Sequence, residues 1–474
     1  MPELNCEYVV GQLGTPQASW LWFSLDSGFI EELKMSQNYL FNSTTYRWGS
    51  CVRPLLAFAL ATSFSTLVLA LEKASPREVG LSESRTENFR MELQRRVDTG
   101  ELPGAVFMAI RNGKVAVHQA VGFQDKSAKV AMSPDSIFRV ASMTKPIVST
   151  AIMMLSEQGK LLISDPLSKH LPEFANMKVL VEKNSADGKA DFVLEPTRRE
   201  ITIQDLLRHT SGLTYGQFDR SKVDSMYVEA NVLSRDQTLA QQVSKLSTLP
   251  LKHQPGAVWE YSLSVDVLGR VIEVVTGKTL DVALNEMILS PLKMNDTGFW
   301  VPAEKLGRLA QSQINPKTGK PYIDRPVDAP PTLLNGGGGL VSTSADYARF
   351  CQMMLNLGEL DGVRILSRKS IQLMTSNHLP PNVGFTNTVN YAWGNLGPRP
   401  EAGMGFGLGF AVRLENGRST LPGSTGEFWW SGSTGTNFVI DPNENLILIL
   451  LTQQPDRLRD YLSLMRQMGN AMLN

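Results

Sequence analysis

Two side chains in this 474-residue chain have the types and the spacing to make a nucleophile. They are Ser142 and Lys145, in the stretch Phe138-Arg139-Val140-Ala141-Ser142-Met143-Thr144-Lys145-Pro146. An apolar run of helical character follows, with Ile147, Val148, Ala151, Ile152, Met154 and Leu155. Positions i and i+3 share one helix face, one turn apart. The spacing therefore predicts Ser142 at or near a helix N-terminus with Lys145 stacked beside it. A hydroxyl needs a neighbouring base to attack at neutral pH. A lysine can be that base when burial disfavours its charged form. The helix N-terminus adds free N–H groups and partial positive charge, which suit a developing oxyanion. Spacing alone is a weak signal, because a second S-x-x-K match, Ser290-Pro291-Leu292-Lys293, lies in a turn-like stretch and reads as structural.

The elements that must position this pair can be read along the chain. Ser82 to Glu101 reads as an amphipathic helix with Phe89, Met91, Leu93 and Val97 on its apolar face. Ala105 to Ile110 and Lys114 to Val121 flank Asn112-Gly113, a strong hairpin signal because both turn residues need positive φ. Residues 165–328 read as rich in helix and loop, with short helices at Ile201 to Arg208 and Val265 to Thr276. The glycine run 336–339 precedes a helix from Thr343 to Leu357, and no lysine follows it in P-loop position, so it reads as a tight backbone passage. Strands are expected at Phe406 to Leu414, Gly426 to Ser431, Thr436 to Asp441 and Leu446 to Thr452, before a final helix from Asp456 to Leu473. The expectation is an α+β fold: an antiparallel sheet flanked by helices, built from residues 72–160 and 330–474 and interrupted by a helical insertion at 161–329.

Composition narrows the classes. Lys+Arg and Asp+Glu both number 46, so no net charge favours nucleic acid or anionic membrane as a partner. The three cysteines, Cys6, Cys51 and Cys351, offer no disulfide framework, and the five histidines form no metal-ligand pair, so neither a metal nor any other cofactor is implied. Near the start, Pro54 to Leu71 is an 18-residue apolar run preceded, from Met35, by two arginines and no acid. With Val68-Leu69-Ala70 it fits a cleaved secretory signal, which places the mature protein in a periplasm or outside the cell; an uncleaved membrane anchor is the competing reading. On that reading residues 1–71 are an extension, and Met35 is the natural start.

Two more segments complete the pattern. One is Tyr261-Ser262-Leu263, in a loop turning into a helix; the other is Trp430-Ser431-Gly432, followed by Ser433. Together with Ser142-Met143-Thr144-Lys145, and with His209-Thr210-Ser211-Gly212-Leu213, Pro255-Gly256 and Gly337-Gly338-Gly339-Leu340 between them, they resemble the class C β-lactamase-like serine hydrolases over about residues 80–470. That superfamily includes penicillin-binding peptidases, D-aminopeptidases and the family VIII carboxylesterases. The resemblance implies that Ser142 is acylated, that Lys145 and Tyr261 move its proton, and that the N–H groups of Ser142 and Ser433 form an oxyanion hole. Two departures bear on the substrate. Leu263 stands where the superfamily usually has Asn, and Trp430 where it usually has Lys or His. Both replace polar handles for an amide or carboxylate, which disfavours a penicillin or a D-Ala-D-Ala terminus. Trp in the third motif is typical of family VIII esterases. The expected substrate is a small, uncharged, short-chain ester, with Leu263, Trp430 and Gly432 lining its site. Two alternatives stand beside it: a β-lactamase or D-amino-acid peptidase, and a penicillin-recognising envelope protein without turnover. His209 reads as structural. The absence of a G-x-S-x-G elbow argues against an ordinary α/β-hydrolase.

Overall fold

Asn112 and Gly113 take φ of 54° and 77°, the left-handed pair that a two-residue hairpin demands. They join β1 (Gly104–Arg111) to β2 (Lys114–Asp125). The computed structural model describes residues 71–474 except 185–189, 316 and 387–393. The signal-like run and the extension, Leu71 excepted, and Cys6 and Cys51 therefore lie outside the described residues. β3 (Val130–Ala131) continues from β2. The other strands of this sheet come from the far end of the chain: β4 (Met404–Phe406), β5 (Ala411–Arg413), β6 (Phe428–Gly432), β7 (Thr436–Asp441) and β8 (Leu446–Thr452). The sheet order is β4-β5-β6-β7-β8-β1-β2-β3, antiparallel throughout.

Helices cover both faces of this sheet, which is why β7 and β8 are buried along their whole length. On one face Phe89 of α1 (Glu83–Asp98) meets Phe107 with ring centroids 4.5 Å apart. On the other, Tyr347 of α4 (Ser344–Leu355) meets Phe438 at 5.1 Å. α2 (Thr144–Glu157) and α3 (Ser264–Thr276) pack together beyond the sheet. α2 is buried nearly all round, Thr144, Lys145, Ser149 and Thr150 included, so its polar groups must find partners inside the protein. The last helix, α5 (Leu458–Ala471), buries Tyr461, Leu462, Met465 and Arg466. Among the described residues no helix is long and apolar enough to cross a membrane.

Three expectations need correction. The stretch 406–414 is two paired strands, with Phe406 opposite Ala411, because Gly407 and Gly409 turn the chain between them; Gly409 has φ 95°. Residues 165–328 contain a hairpin besides helices, Lys178–Asn184 with Ala190–Pro196, outside the large sheet. Its apolar run, Val179 to Val181, is only three residues long and sits between charged residues. Met91 is 56% exposed and does not belong to the core face of α1, which is made by Phe89, Leu93 and Val97. Changing Met91→Lys is expected to alter stability by no more than about 0.5 kcal/mol. Leu93→Ala should cost about 2–5 kcal/mol. Urea unfolding of both variants checks the assignment, and equal costs would contradict it.

Candidate active site

Ser142 lies in a single 3-10 turn, Ala141–Met143, that runs directly into α2. Ala141 has φ 45°, a left-handed conformation that costs an L-residue roughly 1–2 kcal/mol. The surroundings hold it there. The Val140 N–H donates to the Leu340 carbonyl at 3.1 Å. The Thr144 hydroxyl donates to the Ala141 carbonyl at 2.7 Å and accepts the Leu340 N–H at 3.1 Å. The Tyr347 hydroxyl donates to the Met143 carbonyl at 2.9 Å. From the turn after β6, the Thr434 hydroxyl donates to the Arg139 carbonyl at 2.6 Å. Thr436 at the head of β7 donates to the Val140 carbonyl at 3.2 Å.

Lys145 follows one turn later and is 1% exposed. An ammonium has three donors and no acceptor, so burial requires three acceptors nearby. The structure supplies them: the Ser142 Oγ at 3.1 Å, the Tyr215 hydroxyl at 3.0 Å and the Gly337 carbonyl at 2.5 Å. Tyr261 contributes its ring, whose centroid is 4.7 Å from the Lys145 Nζ. This is a distance at which the ring face attracts a cation. Serine, lysine and tyrosine from two of the three expected segments therefore meet at one place. The phenol that Tyr215 brings to Lys145 was not singled out in the sequence. Its signal was faint: it follows the segment His209–Leu213 by two residues.

The wall around Tyr261 is aromatic. Its ring centroid lies 5.4 Å from that of Tyr215, 5.5 Å from Trp430, 6.1 Å from Trp259 and 6.2 Å from Phe218. His209 stands 4.8 Å from Tyr261 and accepts the Ser262 N–H on Nδ1 at 3.4 Å. Burial, and then the charge of Lys145, push the His209 pKa well below the usual imidazole value, so the ring is neutral and acts as a fixed prop. Burial first, then the negative forms of Tyr261 and Asp266, push the Tyr215 phenol well above its usual value.

Trp430 and Leu263 are fully buried. Trp430 reaches the site through the ring of Tyr261, and Leu263 forms the N-cap of α3, where its carbonyl accepts the N–H groups of Asp266 and Val267 at 3.1 and 3.2 Å. Ser433 is exposed at the start of the turn between β6 and β7. Gly432 ends β6 against the turn that carries Ser142; a Cβ there would stand 2.2 Å from the Val140 carbonyl oxygen. The glycine run is likewise a matter of close approach, since a Cβ on Gly336 would stand 2.7 Å from the Val265 carbonyl oxygen.

A sheet built from both ends of the described residues, with a serine–lysine pair at the head of a buried helix, defines a β-lactamase-fold serine hydrolase. The chain belongs to the beta-lactamase family, whose sequence model matches residues 89–471. It is 37% identical to Protein Rv1367c of Mycobacterium tuberculosis over 76% of this chain and 88% of that one. It is 30% identical to Esterase EstB of Burkholderia gladioli, over 74% and 86% of the two chains. Among solved structures it resembles EstCE1, described as a hydrolase with promiscuous acyltransferase activity, with a TM-score of 0.67 and 25% identity over 81% of this chain and 98% of that one.

Gly432→Ala tests how tightly β6 fixes the serine. The added methyl meets backbone, so the turn must move. A displacement of that size is expected to slow covalent labelling of the Ser142 hydroxyl about a hundredfold. Phosphonate labelling followed by mass spectrometry measures it; wild-type labelling would show that β6 does not set the position of Ser142.

Proposed function

We propose that the protein is a serine carboxylesterase acting on small, uncharged, short-chain esters through an acyl-enzyme. The observation that carries this reading is the Ser142 Oγ at 3.1 Å from a buried Lys145 Nζ, beside an aromatic wall that has no cation where the superfamily usually places one. On this reading Ser142 is the nucleophile. Its Oγ forms a bond to the acyl carbon while its proton passes to whichever of Lys145 and Tyr261 is deprotonated when the ester binds. The carbonyl oxygen becomes an oxyanion, held by the N–H groups of Ser142 and Ser433. Such donors are worth roughly two to three orders of magnitude in rate. The proton then goes to the leaving alkoxide as the C–O bond breaks. Water repeats the sequence on the acyl-enzyme and releases the acid.

The apolar neighbours explain the choice of substrate. Leu263 has no polar side-chain group and Trp430 carries no charge to balance a carboxylate, and a buried carboxylate without a counter-charge is costly. Neutral esters carry no such group. The relative named Esterase EstB, and a second, named Lovastatin esterase, from Penicillium rubens and 28% identical, support ester chemistry at this fold.

Side-by-side assays of p-nitrophenyl butyrate and nitrocefin test the reading. Ester turnover should exceed lactam turnover by at least about tenfold, and the reverse order would replace the esterase with a lactamase. Turnover of neither, with the fold intact, would favour a penicillin-recognising binder. Ser142→Ala removes one oxygen and should abolish ester hydrolysis without a change in circular dichroism. Residual activity near wild type would remove Ser142 from its role.

A further inference from the structure

Asp266 lies in the first turn of α3 and is fully buried. A carboxylate at this position of a helix commonly caps the free N–H groups of the first turn. Here Oδ1 accepts the Gly337 N–H, from a different segment, at 3.3 Å. Oδ2 has no hydrogen-bond donor among the described residues. A buried carboxylate oxygen left in that state opposes folding, and its retention asks for a reason outside the helix.

The reason lies across the glycine run. Gly337 is held between two charged groups, its N–H on Asp266 and its carbonyl on Lys145. A Cβ on Gly337 would stand 2.4 Å from the Asp266 Oδ2 and 3.2 Å from the Tyr215 hydroxyl oxygen. The missing side chain thus leaves a space bordered by both the carboxylate and the phenol. The titratable groups around Asp266 are Lys145 from α2 and Tyr215 from the loop after His209. Tyr261 stands one ring further, 5.4 Å from Tyr215, and His209 behind it is neutral.

We propose that Asp266 is a positioning residue whose buried carboxylate is the fixed negative charge that sets how readily the lysine–tyrosine cluster accepts the proton of Ser142. The inference rests on the reading of Ser142 as the nucleophile. Its sign does not depend on which member of the cluster takes the proton. A negative charge beside any proton acceptor favours the protonated form, so it strengthens the acceptor as a base. Removing the charge must weaken the base and let it stay deprotonated to lower pH. Burial pushes the Asp266 carboxyl up to about 6, against the pull of the Lys145 charge, so the negative charge is present above that pH and withdrawn below it.

The test is the pH dependence of Ser142 phosphonylation by a neutral p-nitrophenyl alkylphosphonate, in the full-length protein and in Asp266→Asn. Asn keeps the acceptor for the Gly337 N–H and removes the charge. The wild-type rate is expected to fall below about pH 6. The acid limb of the variant should move down by about one pH unit or more, and its plateau should drop about tenfold, as a weaker base gives slower proton transfer. An unchanged limb, or one moved to higher pH, overturns the proposal. Should Asp266→Asn fail to fold, Asp266→Ala takes its place; failure of both assigns the carboxylate to the fold and overturns the proposal too. A wild-type protein that is not labelled on Ser142 at any pH refutes the esterase reading itself, and this inference falls with it. That outcome is distinct from labelling with an unaltered profile.

Discussion

The structure is arranged around the buried side-chain nitrogen of Lys145. Lys145 lies in a helix with almost no solvent face, where an unpaired cation would be far too costly to keep. When it is charged, each of its three donors must find an acceptor, and the acceptors come from three stretches of chain: the turn that leads into its helix, the loop at Tyr215 and the glycine run at Gly337. Those stretches cannot separate without stranding a charge. The same requirement that satisfies the lysine brings the serine hydroxyl into its reach. Geometry for chemistry and satisfaction of a buried donor are here one condition.

A second layer fixes what the lysine gathers. The residue before Ser142 is bent into a left-handed conformation, and hydrogen bonds from Thr144, Tyr347, Thr434 and Thr436 hold the carbonyls on either side of it. A hydroxyl on a stiff turn loses little freedom when it reacts, which favours catalysis by orientation. The aromatic rings behind Tyr261, with a neutral His209 among them, keep the phenol in place and exclude water from its rear. Within such an enclosure each charge acts strongly on its neighbours, so one carboxylate at Asp266 matters to the whole cluster.

Much of this was legible in the sequence. Asn112-Gly113 announced its hairpin, the helix expected from Val265 to Thr276 is α3 with the same end, and Thr436 to Asp441 and Leu446 to Thr452 form strands with those bounds. These features are local: turn chemistry and side-chain period fix them whatever the rest of the chain does. Ser142, Lys145 and Tyr261 were legible because they sit in ordered motifs. Tyr215 and Asp266 were not, since nothing in their own neighbourhoods marks a tyrosine or an aspartate as facing a lysine from another segment. Gly407 and Gly409 were passed over inside an otherwise strand-like stretch, where a pair of glycines can reverse the chain. Met91 was misplaced because an apolar residue near a helical stripe need not belong to it.

The order of strands in the large sheet has a consequence for how the molecule comes into being. β1, near the start of the described chain, pairs with β8, near its end, with Ala105 opposite Thr452. The β6 edge that braces the serine turn also arrives late in synthesis. During translation the nascent hairpin must therefore wait, with one flank unpaired, until the ribosome has made almost everything else. Contacts this distant in sequence close slowly, and an exposed strand flank invites pairing with other chains meanwhile. The hydrolytic centre is accordingly among the last parts to mature, and a chain cut short before β6 would have its serine but no site.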